Sequence, residues 1–329
     1  DNNGLLVLAT ENTTFDLINS SGNYFGLALF DSDYNNITNS SFNDNYVGIG
    51  VLSSSKNRIF NTKVNSNEFG VLLRFSRDNY IISTKTNNNQ IGLFINSSSN
   101  NNILINDESK NNQLFAFVSL NSTNNIVSYF DIGLEETINF ISENIALNKT
   151  IAPAPDPRNY RNIGKFVNVT AASVGSWIYL NLSYDEREVG DEASLKMFAY
   201  NGSWNELASS GVDTAHNYVY SGNVSIANSS IFAPMYYSPS SGGGAGGGAG
   251  GGAGGGAGAI NIGPTNQTNI TNITLPEPVV REEKIQGKAE EKQEEAIKVS
   301  FPTLYIVLIL VAMALIIAIF FAVFKKKRK

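Results

Sequence analysis

Residues 87–104 read NNNQIGLFINSSSNNNIL, a run of asparagine and serine whose apolar residues alternate as in a strand. Whether this is a disordered asparagine tract or one rung of a regular structure decides the fold. Stepping back 22 residues from Gly92 reaches Gly70, then Gly48, Gly26 and Gly4; the forward step lands on Leu114, the one break. Apolar residues keep the same step. Leu5, Leu27, Ile49, Val71, Leu93 and Phe115 make one column, and Val7, Leu29, Val51, Leu73, Ile95 and Phe117 the next. A third holds Phe15, Ile37, Ile59, Ile81 and Ile103, with Ile126 one residue late. Asparagines repeat likewise at Asn23, Asn45, Asn67, Asn89 and Asn111, and at Asn35, Asn57, Asn79 and Asn101. A disordered tract holds no such phase, so the stretch is a rung.

A repeat of this length with period-2 alternation marks a solenoid of short strands rather than a helical array. The Leu-x-x-Leu-x-Leu frame of leucine-rich repeats is absent. The expected fold is all-β: a right-handed parallel β-helix of 22-residue coils over residues 1–147. Six to seven coils spaced ~4.8 Å apart would make a rod of roughly 30 Å. Inward Leu, Ile, Val and Phe would build a continuous core that no single coil can form. The asparagine columns would form ladders of side-chain amides. The glycines would supply turns with positive φ.

The segment NNITNSSFNDNYVGIGVLSSSKNRIFNTKVNSNEFGVLL, residues 35–73, also resembles the Asn-rich β-helix repeats of carbohydrate-binding and sugar-hydrolase proteins and of periplasmic copper-maturation β-helix proteins. The resemblance covers residues 1 to about 147 and implies the fold. It leaves the activity open, because such folds host lyases, hydrolases, epimerases and plain binders.

The chain has no cysteine, so disulfides and thiolate sites are excluded. Lys and Arg number 23 against 29 Asp and Glu. Five of the cations are the terminal KKKRK, which leaves 18 against 29, a net of −11 for the rest. An acidic body argues against nucleic acid as a partner. The chain opens at Asp1, in mid-coil and without an initiator Met, so further coils and an export signal are expected upstream.

Residues 301–324, FPTLYIVLILVAMALIIAIFFAVF, carry no charge. As a helix they would reach about 36 Å, enough for a bilayer core of ~30 Å. The basic residues 325–329 follow at once and belong in the cytoplasm. A single-pass transmembrane α-helix is expected, with everything before Phe301 outside the cell membrane. Asn-x-Ser/Thr sites abound before the span, and Asn266, Asn269 and Asn272 beside it are the glycosylation candidates. Residues 240–300 read as a stalk: a Gly/Ala tract at 241–259, then the charged REEKIQGKAEEKQEEAIK.

A Pro-rich linker, 148–157, precedes a segment at 158–239 with five or more short strand-like runs, expected to form a small β-sandwich. SLKMFAYNGSWNELASSGVDTAHNYVYSGNVSIANSSIFAPM resembles the C-terminal β-domain of archaeal surface proteins that precedes a Pro-Gly-Phe sorting signal. The resemblance implies Tyr200, Trp204 and Phe232 as core and Asp213 as a turn residue. No Pro-Gly-Phe follows here, which puts enzymatic transfer to lipid in doubt.

Chemistry is sparse. Glu11 and Asp33 share a column one coil apart, with Asp31 nearby; the trio is a candidate cation site or acid pair, or solvated turn charge. The column breaks at Ser55 and Arg77. The single histidine, His216, has no Cys or second His to complete a zinc or copper site, and no cofactor is expected. The glycine tract lacks the Lys-Ser/Thr of a phosphate loop. Tyr24, Tyr46 and Tyr34 are candidates for a sugar-stacking strip, although Glu68 and Gln90 continue the Tyr24–Tyr46 column. The expected function is a membrane-anchored surface protein presenting a β-helix for structural, adhesive or glycan-recognition roles, with glycans or envelope proteins as partners. The alternatives are a tethered polysaccharide lyase or hydrolase with its acidic site mainly upstream, and an S-layer-associated subunit.

Overall fold

The computed structural model describes residues 3–239. They form an all-β parallel solenoid of about six coils, extended by antiparallel strands. The only helices among the described residues are two 3₁₀ turns, Glu186–Glu188 and Glu192–Ser194.

Each coil contributes one strand to each of two long sheets. The first sheet stacks Leu5–Leu8, Phe25–Phe30, Val47–Leu52, Phe69–Arg74, Ile91–Asn96 and Phe115–Leu120 in parallel. The second stacks Thr14–Asp16, Asn36–Thr38, Arg58–Phe60, Tyr80–Ile82, Ile103–Ile105 and Ile126–Leu134. A third side is thinner: Asn19–Ser21 pairs with Ser41–Asn43, and bridges continue it through Lys63, Lys85, Glu108 and Asp131. Leu27 lies opposite Ile49 and Ile49 opposite Val71, as the repeat requires, and all three are buried.

Three ladders tie the coils together. Backbone N–H groups of Asn23, Asn45, Asn67 and Asn89 donate to Oδ1 of the asparagine one coil on, at 2.8–3.0 Å. Asn35, Asn57, Asn79 and Asn102 do the same in a second ladder. The side-chain amides mostly donate backwards to backbone carbonyls, as Asn57 Nδ2 does to Ser32 O at 2.9 Å. The amide-to-amide bonds expected from sequence are present as well, as from Asn67 Nδ2 to Asn89 Oδ1 at 3.1 Å and from Asn102 Nδ2 to Asn125 Oδ1 at 3.0 Å, so each ladder joins side chains to backbone and to one another. Ser32, Ser54, Ser76, Ser99 and Ser122 make a third.

Two expected members are corrected. Asn79 is capped by Asn102, not Asn101, and Asn89 by Asn112, not Asn111. The coil holding both Ser97 and Ser98 at positive φ carries an extra residue there, and a second extra residue, the exposed Leu114, precedes Phe115. The shifts move the columns: Leu93 faces Phe117, not Phe115, and Ile81 faces Leu104, not Ile103. Asn101 and Asn111 instead sit at left-handed corners (φ 57° and 56°).

The glycine column has a different cause from the one expected. Gly26, Gly48, Gly70 and Gly92 do not have positive φ; a Cβ on Gly70 would lie 2.4 Å from Gly92 O and 2.9 Å from Asn89 Nδ2. Close approach of the next coil and its asparagine excludes a side chain. The left-handed corners are made instead by other residues, in columns such as Asn12, Tyr34, Lys56, Asp78 and Asn101.

The chain reverses at Glu135 (φ 75°), and Glu136–Glu143 pairs antiparallel with Ile126–Leu134. Ile145–Lys149 then pairs antiparallel with Phe115–Leu120. From there both sheets continue. The first gains Val167–Ala171, Ser229–Tyr237, Lys196–Tyr200 and Trp204–Glu206, with Tyr160–Asn162 beside Ser229–Tyr237, and reaches 12 strands. The second gains Trp177–Ser183, Tyr218–Ser225 and Gly211–Asp213, reaching 10. One hydrophobic core runs from Val7 through Phe117 and Phe140 to Phe232. The boundary expected at residue 147 thus falls inside a strand, and 158–239 shares both sheets and the core with the solenoid. A smaller cluster of Phe166, Phe198, Ala233 and Met235, with Tyr160 and Trp204 against it, lies apart from that core.

Among the described residues no helix is long and apolar enough to cross a membrane. The expected stalk, span and basic tail, and Asn266, Asn269 and Asn272, lie outside the described residues.

Candidate functional site

The inward residues of the first sheet leave alternate positions facing away from the core, and these are apolar too. One such row holds Leu6, Ala28, Gly50, Leu72, Phe94 and Val118; a further column, Phe25, Val47, Phe69, Ile91 and Phe115, has the parity of the inward Leu27 but lies outside the main core cluster, with the Phe25 ring against Gly50. A third holds Leu8, Phe30, Leu52, Arg74, Asn96 and Leu120. None of these side chains is part of the main core cluster, though Ala28, Val47 and Val118 are buried; Leu6 and Leu8 are exposed and the phenylalanines half-buried. Soluble proteins rarely leave so large an apolar surface open without a use for it.

Tyr24 and Tyr46 border this face. Their rings stack 4.8 Å apart at 24°, and they are 52% and 45% exposed. Tyr24 also meets Phe25 edge-on at 5.0 Å, and Phe25 meets Phe30 at 6.2 Å. Phe25 lies across Gly50, where an added Cβ would come within 2.8 Å of its ring. Burial, with help from Tyr24 and Glu68, pushes the Tyr46 hydroxyl pKa up. In the same column Gln90 donates to Glu68. Tyr34 is elsewhere, at a left-handed corner, where its hydroxyl accepts from Lys56 at 2.6 Å.

The three acidic candidates have turn geometry. Glu11 and Asp31 are exposed, Asp31 at φ 46°. Asp33 Oδ1 accepts the Ser55 N–H at 2.6 Å and so ties one coil to the next. On the third side Lys110 lies 3.3 Å from Glu108 and 2.5 Å from Asp131, and Lys85 lies 3.4 Å from Glu108. Burial works to raise the Glu108 pKa, but the Asn87 amide, Lys110 and Lys85 outweigh it and hold it low. His216 is exposed, with Nδ1 3.0 Å from Asp213 Oδ2.

One acid stands apart from every sequence expectation. Asp107 is 2% exposed, and its Oδ1 accepts the Thr84 N–H at 2.7 Å. Its Oδ2 has no hydrogen-bond partner, and burial pushes its pKa well above the ordinary carboxylate value.

The fold and this outer face define a parallel β-solenoid protein. Comparison gives a family match over residues 1–133, to the periplasmic copper-binding protein (NosD) family. No curated protein matches the chain. Among solved structures it is similar to pectate lyase Pel9A, at 14% identity and TM-score 0.25 over 30% of this chain and 28% of that one. It is also similar to the full-length tailspike protein 2 of an Escherichia coli O157:H7 bacteriophage, at 11% identity and TM-score 0.28 over 72% of this chain and 51% of that one. The enzymatically active domain of bacteriophage CBA120 tailspike protein 2 gives 12% and 0.28 over 60% of this chain and 37% of that one. The chain thus spans between about a quarter and a half of these proteins' lengths.

A copper ion calls for imidazole, thiolate or thioether donors. Residues 1–133 contain no His, Cys or Met, the side chains that suit copper. Among the described residues no cluster of three or more His, Cys, Asp or Glu could hold a metal ion. The matched segment does not fit a copper ion, and no chemistry is derived through one.

Sequence reading flagged Tyr24 and Tyr46 but missed Phe25, Phe69, Leu72 and Phe94. The signal was present in FGLALF, VGIGVL, FGVLLR, IGLFIN and FAFVSL, which are apolar at both parities.

Proposed function

We propose that this is a membrane-anchored surface protein whose solenoid recognises glycans on the outer face of its first sheet. The aromatic and aliphatic layer around Tyr24, Tyr46, Phe25, Phe69 and Phe94 carries the reading. Its rings are partly exposed and its rim bears hydroxyl, amide and carboxylate groups, the combination that stacks on sugar C–H faces and bonds sugar hydroxyls. Farther along the same sheet the chain covers its own aromatics: Tyr160 and Trp204 pack against Phe166 and Phe198. Around the Tyr24–Phe94 layer no such cover exists among the described residues. The anchor is the uncharged segment 301–324 followed by KKKRK, which favours an extracellular solenoid and a cytoplasmic tail.

The test uses the full-length chain in nanodiscs on a polysaccharide array. The expected result is saturable binding that Tyr46→Ala and Phe69→Ala each weaken about tenfold, equivalent to ~1.4 kcal/mol. Binding no stronger than to a charge-matched control, or unaffected by both substitutions, refutes it. Protease added outside intact cells should remove the solenoid and spare the tail.

A further inference from the structure

We infer that the ligand of this face is an uncharged, extended polysaccharide lying along a diagonal of four rings: Tyr24, Tyr46, Phe69 and Phe94. The inference rests on the glycan reading above and specifies it. The rings belong to successive coils, one each, and follow one another at centroid distances of 4.8, 5.7 and 5.8 Å. Three coil steps span about 14 Å along the stack. The track also moves sideways. Tyr24 and Tyr46 precede their strands, Phe69 opens its strand, and Phe94 is the fourth residue of Ile91–Asn96. Tyr24–Tyr46 and Phe69–Phe94 lie at 24° and 21° with centroids beyond the ~3.5–4 Å contact of stacked carbons, so each pair is slipped and part of its faces is uncovered, while Phe69 meets Tyr46 edge-on at 75°.

The charge around the track selects the class of sugar. Among the rows of this face and its Tyr24–Gln90 rim, the sole cation is Arg74, in the row farthest from that rim, with its guanidinium 5.3 Å from the Phe75 ring. Beside Tyr46 and Phe69 stands Glu68, which accepts from Gln90. A uronic or sialic acid unit would meet a carboxylate with no nearby cation to offset it, within an acidic body. Hydroxyls of a neutral sugar find acceptors and donors there in Glu68, Gln90 and the two tyrosines. A chain with one flat unit per coil engages all four rings; a disaccharide reaches two.

The test measures binding of the full-length chain to neutral cello-oligosaccharides of two to six units, with oligogalacturonides of equal length as the acidic counterpart. Affinity should rise at least tenfold from two to four or five units and then level off, with acidic oligomers at least tenfold weaker. Phe94→Leu, which keeps an apolar side chain and removes the ring, should weaken the hexamer severalfold and leave the dimer unchanged. Equal or stronger binding of the acidic series, affinity independent of length, or equal loss for dimer and hexamer overturns the inference while leaving glycan recognition standing. If no sugar of either kind binds, and the chain forms dimers that Leu72→Glu disperses, both fail and the face is an interface between copies.

Discussion

Replacing Asp107 with asparagine should stabilise the protein at neutral pH, although it removes a buried, hydrogen-bonded carboxyl. Asp107 stands in a column of hydroxyls. Ser40, Thr62 and Thr84, one coil apart, each donate to the carbonyl two residues back, at 2.6, 3.0 and 3.3 Å. Ser40 Oγ also accepts the Ile18 N–H at 3.0 Å, as Asp107 Oδ1 accepts that of Thr84. The position calls for one acceptor and one donor. A carboxylate has no donor, whereas a protonated carboxyl does, and so does an asparagine amide. The buried Oδ2 has no partner, so an ionised carboxyl would leave it unsatisfied at this site. An unsatisfied buried polar atom costs about 1–3 kcal/mol, and that is the gain expected for Asp107→Asn at pH 7.

The pH dependence separates this cause from a general packing effect. The folded-state pKa of Asp107 is raised, mainly by burial. Its contribution is therefore fully present below the unfolded value near 3.9 and is lost as pH rises towards the folded value. Across that window the wild type loses about 1.4 kcal/mol per pH unit relative to the asparagine variant. Urea unfolding of both proteins from pH 3.5 to 8 measures the difference directly. It should be near zero at pH 3.5, grow with pH and then level off; Asp107→Thr should follow the same course. A variant less stable than wild type at pH 7, or a difference that does not change with pH, refutes the reasoning.

Other outcomes follow from the ladders and the packing. Asn102→Ala removes the acceptor of the Asn79 N–H and the donor to Ser76 O, and should cost about 1–3 kcal/mol in urea unfolding. Asn101→Gly, at an exposed left-handed corner, should stay within about 0.5 kcal/mol, so the pair tests the register directly. Gly70→Ala drives a methyl into Gly92 O and should cost about 1–3 kcal/mol, read as a lower melting temperature. Lys110→Gln should cost only about 0.2–1 kcal/mol, because its ion pairs are half-exposed, and salt should erase the difference. The lowered Glu108 pKa adds stability that is present above the unfolded value and lost as acid protonates the folded form; the pH dependence of the Lys110→Gln difference should show it.

How far the fold was legible depends on how many residue types each position tolerates. The first four coils keep a strict 22-residue step because an inward Leu, Ile or Val must lie on its counterpart, and those columns are readable one by one. The step lengthens at Ser97–Ser98 and at Leu114. Both longer coils present adjacent asparagines, Asn101 with Asn102 and Asn111 with Asn112. One asparagine of each pair is a ladder member and the other a left-handed corner. Asparagine suits both jobs, the first through its amide and the second through its tolerance of positive φ, so composition alone does not assign the register. Glycine carries the same ambiguity: a conserved step is compatible with positive φ or with close approach, and only the position of Gly92 O over Gly70 decides.

The extent of the sheets was hidden for another reason. Alternation shows which residues of a strand point inward but not which edge the strand joins, so Val167–Ala171 and Trp177–Ser183 read equally well as a separate sandwich. What settles their place is the reversal at Glu135, which turns the chain antiparallel and lets Ile145–Lys149 and Glu136–Glu143 close the last coil on both faces. With that end closed by pairing, the two sheets enclose one continuous core. On the first sheet the outer surface is apolar at positions the main core cluster does not use. A buried rung requires only alternate apolar residues; Leu72, between the buried Val71 and Leu73, exceeds that requirement on the opposite side of one strand. The excess is the part of this sequence that folding does not explain, and it is where binding should be sought.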